Sequence, residues 1–310
     1  MEGLPPKSES LTIVVTGSGS GFGALTARTL TGSGHRVYAG LLEDRNTSPA
    51  VYEQAEAFAT EKKVQLRGIQ LDVSDDESIR RAVDTIVAAE GGVDVVVHNA
   101  GHMNWGPTEA FSAEQFHKVL EVNCVGCHRV NCAVLPHMRR AGRGLLVWVS
   151  SGSVYGANAP FLGPYFAAKA AMDSLAQTYQ VELTPFGIET CIVVPGIFTT
   201  GTRHFETAMK PANEALAKQL LSTPSPLAGW DTVSAEGSAK ATTPDADPQA
   251  VADAIVRVVN QTHGSRPFRT YVEFDGGQTN ISAGAHDLVR ERYLNKFGTG
   301  ELLKVKLNTR

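Results

Sequence analysis

The sequence predicts an α/β fold in which helices cover both faces of one doubly wound parallel sheet. Short apolar runs rich in valine and isoleucine alternate with helix-length segments from residue 11 to residue 194. Those runs are nearly continuous in apolar character, as strands buried on both faces must be. The first of them leads directly into a cluster of glycines that opens a helix.

The elements follow in order. Residues 11–16 (LTIVVT) form a β-branched strand, and Gly17-Ser18-Gly19-Ser20-Gly21-Phe22-Gly23 leads into a helix over 24–30. Strands are expected at 35–40, 64–72, 93–98, 144–150 and 189–194, with helices at 51–61, 77–89, 112–139 and 164–183 between them. After Pro195-Gly196 the rhythm breaks. A helical stretch at 206–221 precedes residues 222–248, which are rich in Ser, Thr, Ala, Pro and Gly. So long an irregular stretch in a compact domain is usually functional, and residues 198–248 are expected to be a lid inserted over a site. A helix over 248–260 carries Pro248 just inside its start. Residues 268–274 make a last strand, stopped by Asp275-Gly276-Gly277, and 282–296 a closing helix in a C-terminal extension. The expected organisation is a flexible start at 1–10 and a single domain over 11–310.

Composition narrows the function. With 28 Lys+Arg against 32 Asp+Glu the net charge is -4, which lacks the basic footprint of nucleic-acid or anionic-membrane binding. No apolar run reaches the roughly 18 to 20 residues of a membrane span. The polar start lacks the apolar stretch of a signal peptide. Cys124, Cys127, Cys132 and Cys191 are too few and too clumped for a secreted disulfide framework. Cys124 and Cys127 fall inside the expected 112–139 helix with no second metal-ligand pair, so they read as buried structural thiols. A cytoplasmic protein without metal is expected. The 30 glycines are about 10% of the chain against about 7% usually, and they cluster, which points to backbone that something approaches closely.

The glycine loop tells what approaches. Gly17 permits the tight turn, Gly21 admits a pyrophosphate against the backbone, and Gly23 lets helix and strand pack closely, while the helix N-terminus favours phosphate charge. Its place after a strand and before a helix is the context a dinucleotide loop demands. The spacing Gly17-x-x-x-Gly21-x-Gly23 resembles that of the short-chain dehydrogenases/reductases, a Rossmann-like family. Further matches stand in order: Leu71-Asp72-Val73, His98-Asn99-Ala100-Gly101, Asn123, Ser150-Ser151, Tyr165-x-x-x-Lys169 and Pro195-Gly196. The resemblance covers residues 11–200 and, more loosely, the last strand; His98 stands where the family usually has Asn. It implies that Gly17, Ser18, Ser20, Gly21, Phe22 and Gly23 hold the dinucleotide phosphates and that Asp72 and Val73 contact the adenine. It further implies that Asn99, Ala100 and Gly101 support the nucleotide side, and that Pro195, Gly196 and Thr199 line the nicotinamide. Taken alone, Asp72 would instead cap the helix expected at 77–89.

Tyr165 and Lys169 lie four residues apart, so both project from one helix face. A free tyrosine with pKa near 10 is a poor acid–base group at neutral pH, and a lysine cation within a few ångströms would lower it. By resemblance Tyr165 exchanges the proton of a carbonyl or alcohol and Lys169 also holds the nicotinamide ribose. The family's substrate-orienting serine falls 13 residues before the tyrosine, which here is Gly152. Ser151 is chosen, because the strand runs directly into Ser150-Ser151, and Ser153 is the alternative. Asn123 matches the family's asparagine that holds a water on the proton path; read from the residue alone, it is a helix residue bonded to backbone.

For the cofactor neither family signature is in place: the acid that marks NAD specificity at the end of the second strand is replaced by Leu41-Leu42, with Glu43 and Asp44 late, and Ser20 stands before the second loop glycine where NADP-specific members carry Arg or Lys. Ser18, Ser20 and Arg45 are placed to accept a 2′-phosphate, so NADP(H) is favoured with NAD(H) open. Candidate wall residues are His102, Met103, Trp105, Tyr155, Pro160, Phe161, Phe198, Phe205 and Met209, a mostly apolar set. The expected function is NAD(P)-dependent interconversion of a ketone or aldehyde and an alcohol on a medium or bulky hydrophobic substrate. The alternatives are an epimerase or dehydratase with transient oxidation and a non-catalytic dinucleotide sensor. By resemblance, a homodimer or homotetramer is expected.

Overall fold

The computed structural model describes residues 10–156, 158–274, 276 and 279–307. The expected flexible start, apart from Ser10, lies outside the described residues, as do Asp275 and Gly277 of the last stop signal. Seven strands form one sheet: β1 (Thr12–Val15), β2 (Arg36–Leu41), β3 (Leu66–Gln70), β4 (Val95–His98), β5 (Gly144–Val149), β6 (Ile188–Pro195) and β7 (Arg269–Val272). Their order is β3-β2-β1-β4-β5-β6-β7 and every pairing is parallel. Helices α1 (Gly21–Gly32), α2 (Pro49–Lys62), α3 (Asp76–Glu90), α4 (Ala113–Leu120), α5 (Gly126–Ala141) and α6 (Gly163–Leu183) connect the first six strands. Helices α7 (Glu214–Leu221), α8 (Trp230–Ala241) and α9 (Gln249–Asn260) precede β7, and α10 (Thr279–Lys296) follows it.

The continuous apolar runs are explained by burial on two sides. Val14, Val96, Leu146, Trp148 and Ile192 enter one core with Ile79, Val83 and Ile86 of α3, Val130 and Val134 of α5 and Met172 of α6. Their neighbours Ile13, Val15, Val95, Val97, Leu145, Val147 and Val193 enter the other core with Leu30 of α1 and Val251, Ile255 and Val258 of α9. Each fully buried aliphatic side chain contributes roughly 1.5–3 kcal/mol, so both faces of these strands must be covered.

Three expected elements differ in detail. The helix expected over 112–139 is interrupted by a π-helical turn, Glu121–Val125, between α4 and α5. The stretch expected as helix from 206 becomes helical at Glu214, because Met209 pairs with Asn104 in an isolated bridge and the chain there runs extended. The Ser/Thr-rich stretch contains α8. Asp75 caps α3, its Oδ1 accepting from Glu77 N at 2.9 Å, so Asp72 is not the cap of that helix.

The chain turns from one side of the sheet to the other between β1 and β4. That reversal opens a crevice at the carboxyl ends of these strands, where ligands bind in open α/β sheets.

Candidate active site

The crevice begins at the β1–α1 turn. Asn99 Nδ2 donates to Thr16 O at 2.9 Å and to Gly17 O at 3.0 Å. The Thr16 hydroxyl accepts from the backbone N–H groups of Asn99 and Ala100, each at 3.0 Å. Two strand ends are thereby locked together. Gly17 holds φ +66°, and a methyl on it would stand 2.8 Å from Ala100 Cα. A methyl on Gly23 would stand 2.3 Å from Gly17 O and 2.4 Å from Asn99 Nδ2. Ser18 is buried with its hydroxyl donating to Val15 O at 2.7 Å.

Ser20 stands at the N-cap of α1 without a side-chain capping bond, and no acid lies in the first turn. The N-terminus of α1 therefore keeps its partial positive charge open toward the crevice. Bare glycine backbone and an uncapped helix N-terminus at the switch point of the sheet fit a dinucleotide pyrophosphate.

Beside the loop lies a cavity whose wall includes Phe22, Asn99, Gly101, Ser151, Tyr165, Lys169, Pro195 and Gly196 of the expected site. Ser151 is the side chain that favours ionisation of the Tyr165 phenol. Ser151 Oγ accepts from Ser153 Oγ at 2.9 Å and Ser153 N at 3.3 Å. Both serines border the cavity with Tyr165, and Ser153 donates to Ser151.

Burial pushes the Tyr165 phenol up to about 12, with Ser151 acting the other way. From the sequence, Lys169 is expected to lower it. In the structure the Lys169 ammonium donates to Val149 O at 2.7 Å and lies 5.9 Å from the centre of the Tyr165 ring. Lys169 is held beside Tyr165 without being paired to its oxygen. Burial lowers the Lys169 pKa to about 8, while Cys127 and Asp173 favour its charged form.

Asn123 sits wholly buried in the π-helical turn. Its Oδ1 accepts from His102 N and its Nδ2 donates to His102 O, both at 3.0 Å. The side chain is thus spent on fastening the Gly101–His102 backbone. Asp72 lies beyond the end of β3, its Oδ1 accepting from Ser74 N and Ser74 Oγ. Val73 is core, packed so tightly on α5 that a methyl on Gly126 would meet it at 2.7 Å. Thr199 is half-buried and outside the cavity lining. His98 is also core: it is buried, its Nε2 lies 2.8 Å from Asn131 Oδ1, and burial drives its pKa down to about 4.

Of the expected wall, His102, Met103, Phe198 and Phe205 reach the cavity, joined by Ala159, Leu162 and Phe166. Trp105 stands behind them, against Phe161 and Phe205 at 6.0 and 5.7 Å. Pro160, Phe161 and Met209 are not in the lining, and Tyr155 turns away to donate to Asp173 at 2.7 Å. Phe198, His204, Phe205 and Ser238 of the 198–248 segment do border the cavity.

Sequence reasoning missed three residues here. Asn104, fully buried, accepts from Tyr165 N at 2.8 Å and so seats the first turn of α6. Thr16 joins the two strand ends; its place just before Gly17 was the available signal. His204 packs edge-on against Phe22 at 5.2 Å, and its Nε2 lies 3.8 Å from where a Gly21 methyl would stand. Burial and, secondarily, the Lys169 cation lower its pKa to about 4.

A loop shaped for a diphosphate, beside a Ser–Tyr–Lys group at the carboxyl ends of a parallel sheet, is the layout of a dinucleotide-dependent enzyme class. The chain belongs to the short chain dehydrogenase family, whose model matches residues 11–211. Members of that family are NAD(P)-dependent oxidoreductases acting on CH–OH groups, and a nicotinamide dinucleotide is their cofactor. The chain is 35% identical over 190 residues to the 3-ketodihydrosphingosine reductase of Bacteroides thetaiotaomicron, covering 61% of this chain and 64% of that one. It is 37% identical over 188 residues to human 17-beta-hydroxysteroid dehydrogenase type 1, covering 59% and 56%. These alignments therefore span less than two thirds of either relative. The fold also matches an alcohol dehydrogenase from the archaeon Thermococcus sibiricus complexed with 5-hydroxy-NADP. That match has a TM-score of 0.66 at 25% identity and covers 86% of this chain and 97% of the other. Among the described residues, no helix is long and apolar enough to cross a membrane, and no group of three or more His, Cys, Asp or Glu side chains is placed to hold a metal ion.

Proposed function

We propose that this protein is an NAD(P)-dependent oxidoreductase that interconverts a ketone or aldehyde and the corresponding alcohol on a medium or bulky, mostly hydrophobic substrate. The observation that carries the reading is that Ser151, Tyr165 and Lys169 line one apolar cavity, Tyr165 and Lys169 one turn apart on α6, beside the open N-terminus of α1. The bound dinucleotide supplies or accepts the hydride. The Gly17–Gly23 loop, braced by Asn99, would hold its phosphates, and Pro195 and Gly196 would border the nicotinamide end.

Ser151 orients the substrate oxygen, and Tyr165 gives it a proton during reduction or takes one during oxidation. Ser153 keeps the Ser151 hydroxyl in place. A phenol pushed up to about 12 stays protonated at neutral pH and so serves reduction directly. Oxidation needs the phenolate, and its rate is expected to climb with alkaline pH while reduction stays flat through neutrality. Met103, Leu162, Phe166, Phe198 and Phe205 make the walls apolar, and residues 198–248 act as the lid. The relatives named above as a ketodihydrosphingosine reductase and a hydroxysteroid dehydrogenase support a bulky apolar carbonyl compound.

We favour NADP(H). What supports this is Ser20, exposed and unused for capping, and Arg45 at the surface just past β2. Ser18 drops out because its hydroxyl is bound to Val15 O. Arg45 pairs with Glu56 through both carboxylate oxygens at 2.7 Å, but both side chains are solvent-exposed, so a bound 2′-phosphate can compete for the guanidinium. The test is initial rates with NADPH and NADH over a series of aryl and long-chain alkyl ketones. NADPH is expected to be preferred, and Arg45→Ala to raise KM for NADPH by about tenfold, the loss of one charge-assisted phosphate contact, without changing KM for NADH. A preference for NADH in the wild type sinks the cofactor assignment, and no turnover of any ketone with either dinucleotide sinks the oxidoreductase reading.

A further inference from the structure

Asp173 lies one turn beyond Lys169 on α6 and is completely buried. Its Oδ2 accepts from Ser150 Oγ at 2.7 Å and from Arg269 Nη1 at 3.1 Å. Its Oδ1 accepts from the Tyr155 hydroxyl at 2.7 Å, Gln177 Nε2 at 2.9 Å and Arg269 Nη2 at 3.1 Å. Burial works to neutralise this carboxyl, but Arg269 and the bonds from Tyr155 and Ser150 hold it below the usual carboxylate range. Arg269 is itself buried between the rings of Tyr155 and Phe268, 4.9 Å from each, and its Nε donates to Asp287 Oδ2 of α10 at 2.7 Å. The end of β5, the turn Gly152–Tyr155, α6, β7 and α10 all meet at this one ion pair.

A buried ion pair is weak evidence for stability, because desolvation offsets much of the attraction. Its position argues for a different use. Ser150 immediately precedes Ser151, which lines the cavity together with Tyr165. Val149, one residue earlier, accepts the Lys169 ammonium at 2.7 Å. Asp173 therefore grips the strand end through Ser150 while its own backbone belongs to the helix that carries Tyr165 and Lys169.

We propose that Asp173 and Arg269 form the positioning pair of this active site, clamping the Ser150–Ser151 strand end to α6, with Asp287 making α10 part of the same clamp. The proposal rests on the oxidoreductase reading above. It brings into the site a strand and a helix that lie beyond residues 11–211, the range of the family model.

The clamp also sets charge. Lys169 faces Cys127 of α5, Asp173 of its own helix and His204 of the lid, with Arg269 of β7 behind Asp173. Around the pair stand Tyr155, Tyr271, Asp287 and Arg290. Removing the Asp173 charge leaves Arg269 answered by Asp287 and deprives Lys169 of a favourable neighbour, so Lys169 should release its proton at lower pH. Neutralising Arg269 as well should reverse part of that change.

The test compares wild type with Asp173→Asn, Asp173→Asn/Arg269→Met and Asp287→Asn. Each is followed by thermal melting, by fluorescence titration with NADPH across pH, and by kcat and KM against pH with the best ketone of the series above. Asp173→Asn is expected to fold and to lower kcat by about 100-fold, as misplacement of reacting groups does, with KM changed little. The alkaline limb of its profile should move to lower pH, and the double variant should bring the limb back toward wild type. Asp287→Asn, changed at the more exposed end of the clamp, should show a smaller loss and a shift in the same direction; it carries the test if Asp173→Asn does not fold. A loss of kcat with an unmoved limb would mean structural support only and overturns the proposal. So does an Asp287→Asn enzyme indistinguishable from wild type. The NADPH titration reads the same limb without turnover, so failure of the clamp is separable from failure of the oxidoreductase reading, which shows instead as an inactive wild type.

Discussion

Tyr165→Phe is expected to lower kcat by about 1000-fold, within the range that a positioned acid–base group contributes. Dinucleotide affinity should stay within about threefold of wild type, because the aromatic ring, its packing against Phe166 and the Lys169 bond to Val149 do not depend on the hydroxyl. Steady-state kinetics in both directions and a fluorescence titration with reduced dinucleotide check the two halves. The wild-type profile supplies a second readout: kcat/KM for oxidation should rise toward alkaline pH as the phenol, held near 12 by burial, yields more phenolate. That rise should be absent from the residual activity of the variant. Retained turnover would remove Tyr165 from its assigned role.

Gly23→Ala should have a comparably large effect by a different route. The new methyl would stand 2.3 Å from Gly17 O and 2.4 Å from Asn99 Nδ2, and neither can move away easily. Gly17 is fixed in a left-handed turn against Ala100, and Asn99 Nδ2 is shared between Thr16 O and Gly17 O. Overpacking of this kind costs about 1–3 kcal/mol. Dinucleotide affinity is expected to fall by more than about tenfold, together with a lower melting temperature. Gly19→Ala is the control in the same loop, since its methyl would meet nothing closer than Val51 Cγ1 at 3.9 Å. Equal affinities in the two variants would show that this loop does not hold the cofactor.

The central strands were legible in the sequence because they are apolar runs whose successive residues enter opposite cores, as Val95, Val96 and Val97 do; β3 (LRGIQ) and β7 (RTYV), at the sheet edges, are more polar and only partly buried. The glycine loop was legible because its spacing reflects backbone geometry that other residues cannot adopt. Less legible was the interruption at Glu121–Val125, since a π-helical turn hardly disturbs the apolar period on either side. The extended path around Met209 was hidden for another reason: it depends on the bridge to Asn104, a residue more than a hundred positions earlier.

The same division runs through the site. The residue types and spacings of Gly17–Gly23, Ser150-Ser151 and Tyr165-x-x-x-Lys169 lie in the chain itself, because strand-to-helix turns and one-turn helix spacing are local geometry. Which serine acts on Tyr165, which way the Lys169 ammonium points, and what Asn123 fastens are decided by contacts between distant segments. Asp173 makes the point most sharply. As one carboxylate on a helix it has no local signature, and its bonds to Ser150, Tyr155 and Arg269 exist because the sheet order brings β5 and β7 to either side of β6. Short-range periodicity specifies strands and helices, whereas hydrogen-bond direction and side-chain charge follow from burial, and burial is a property of the assembled fold.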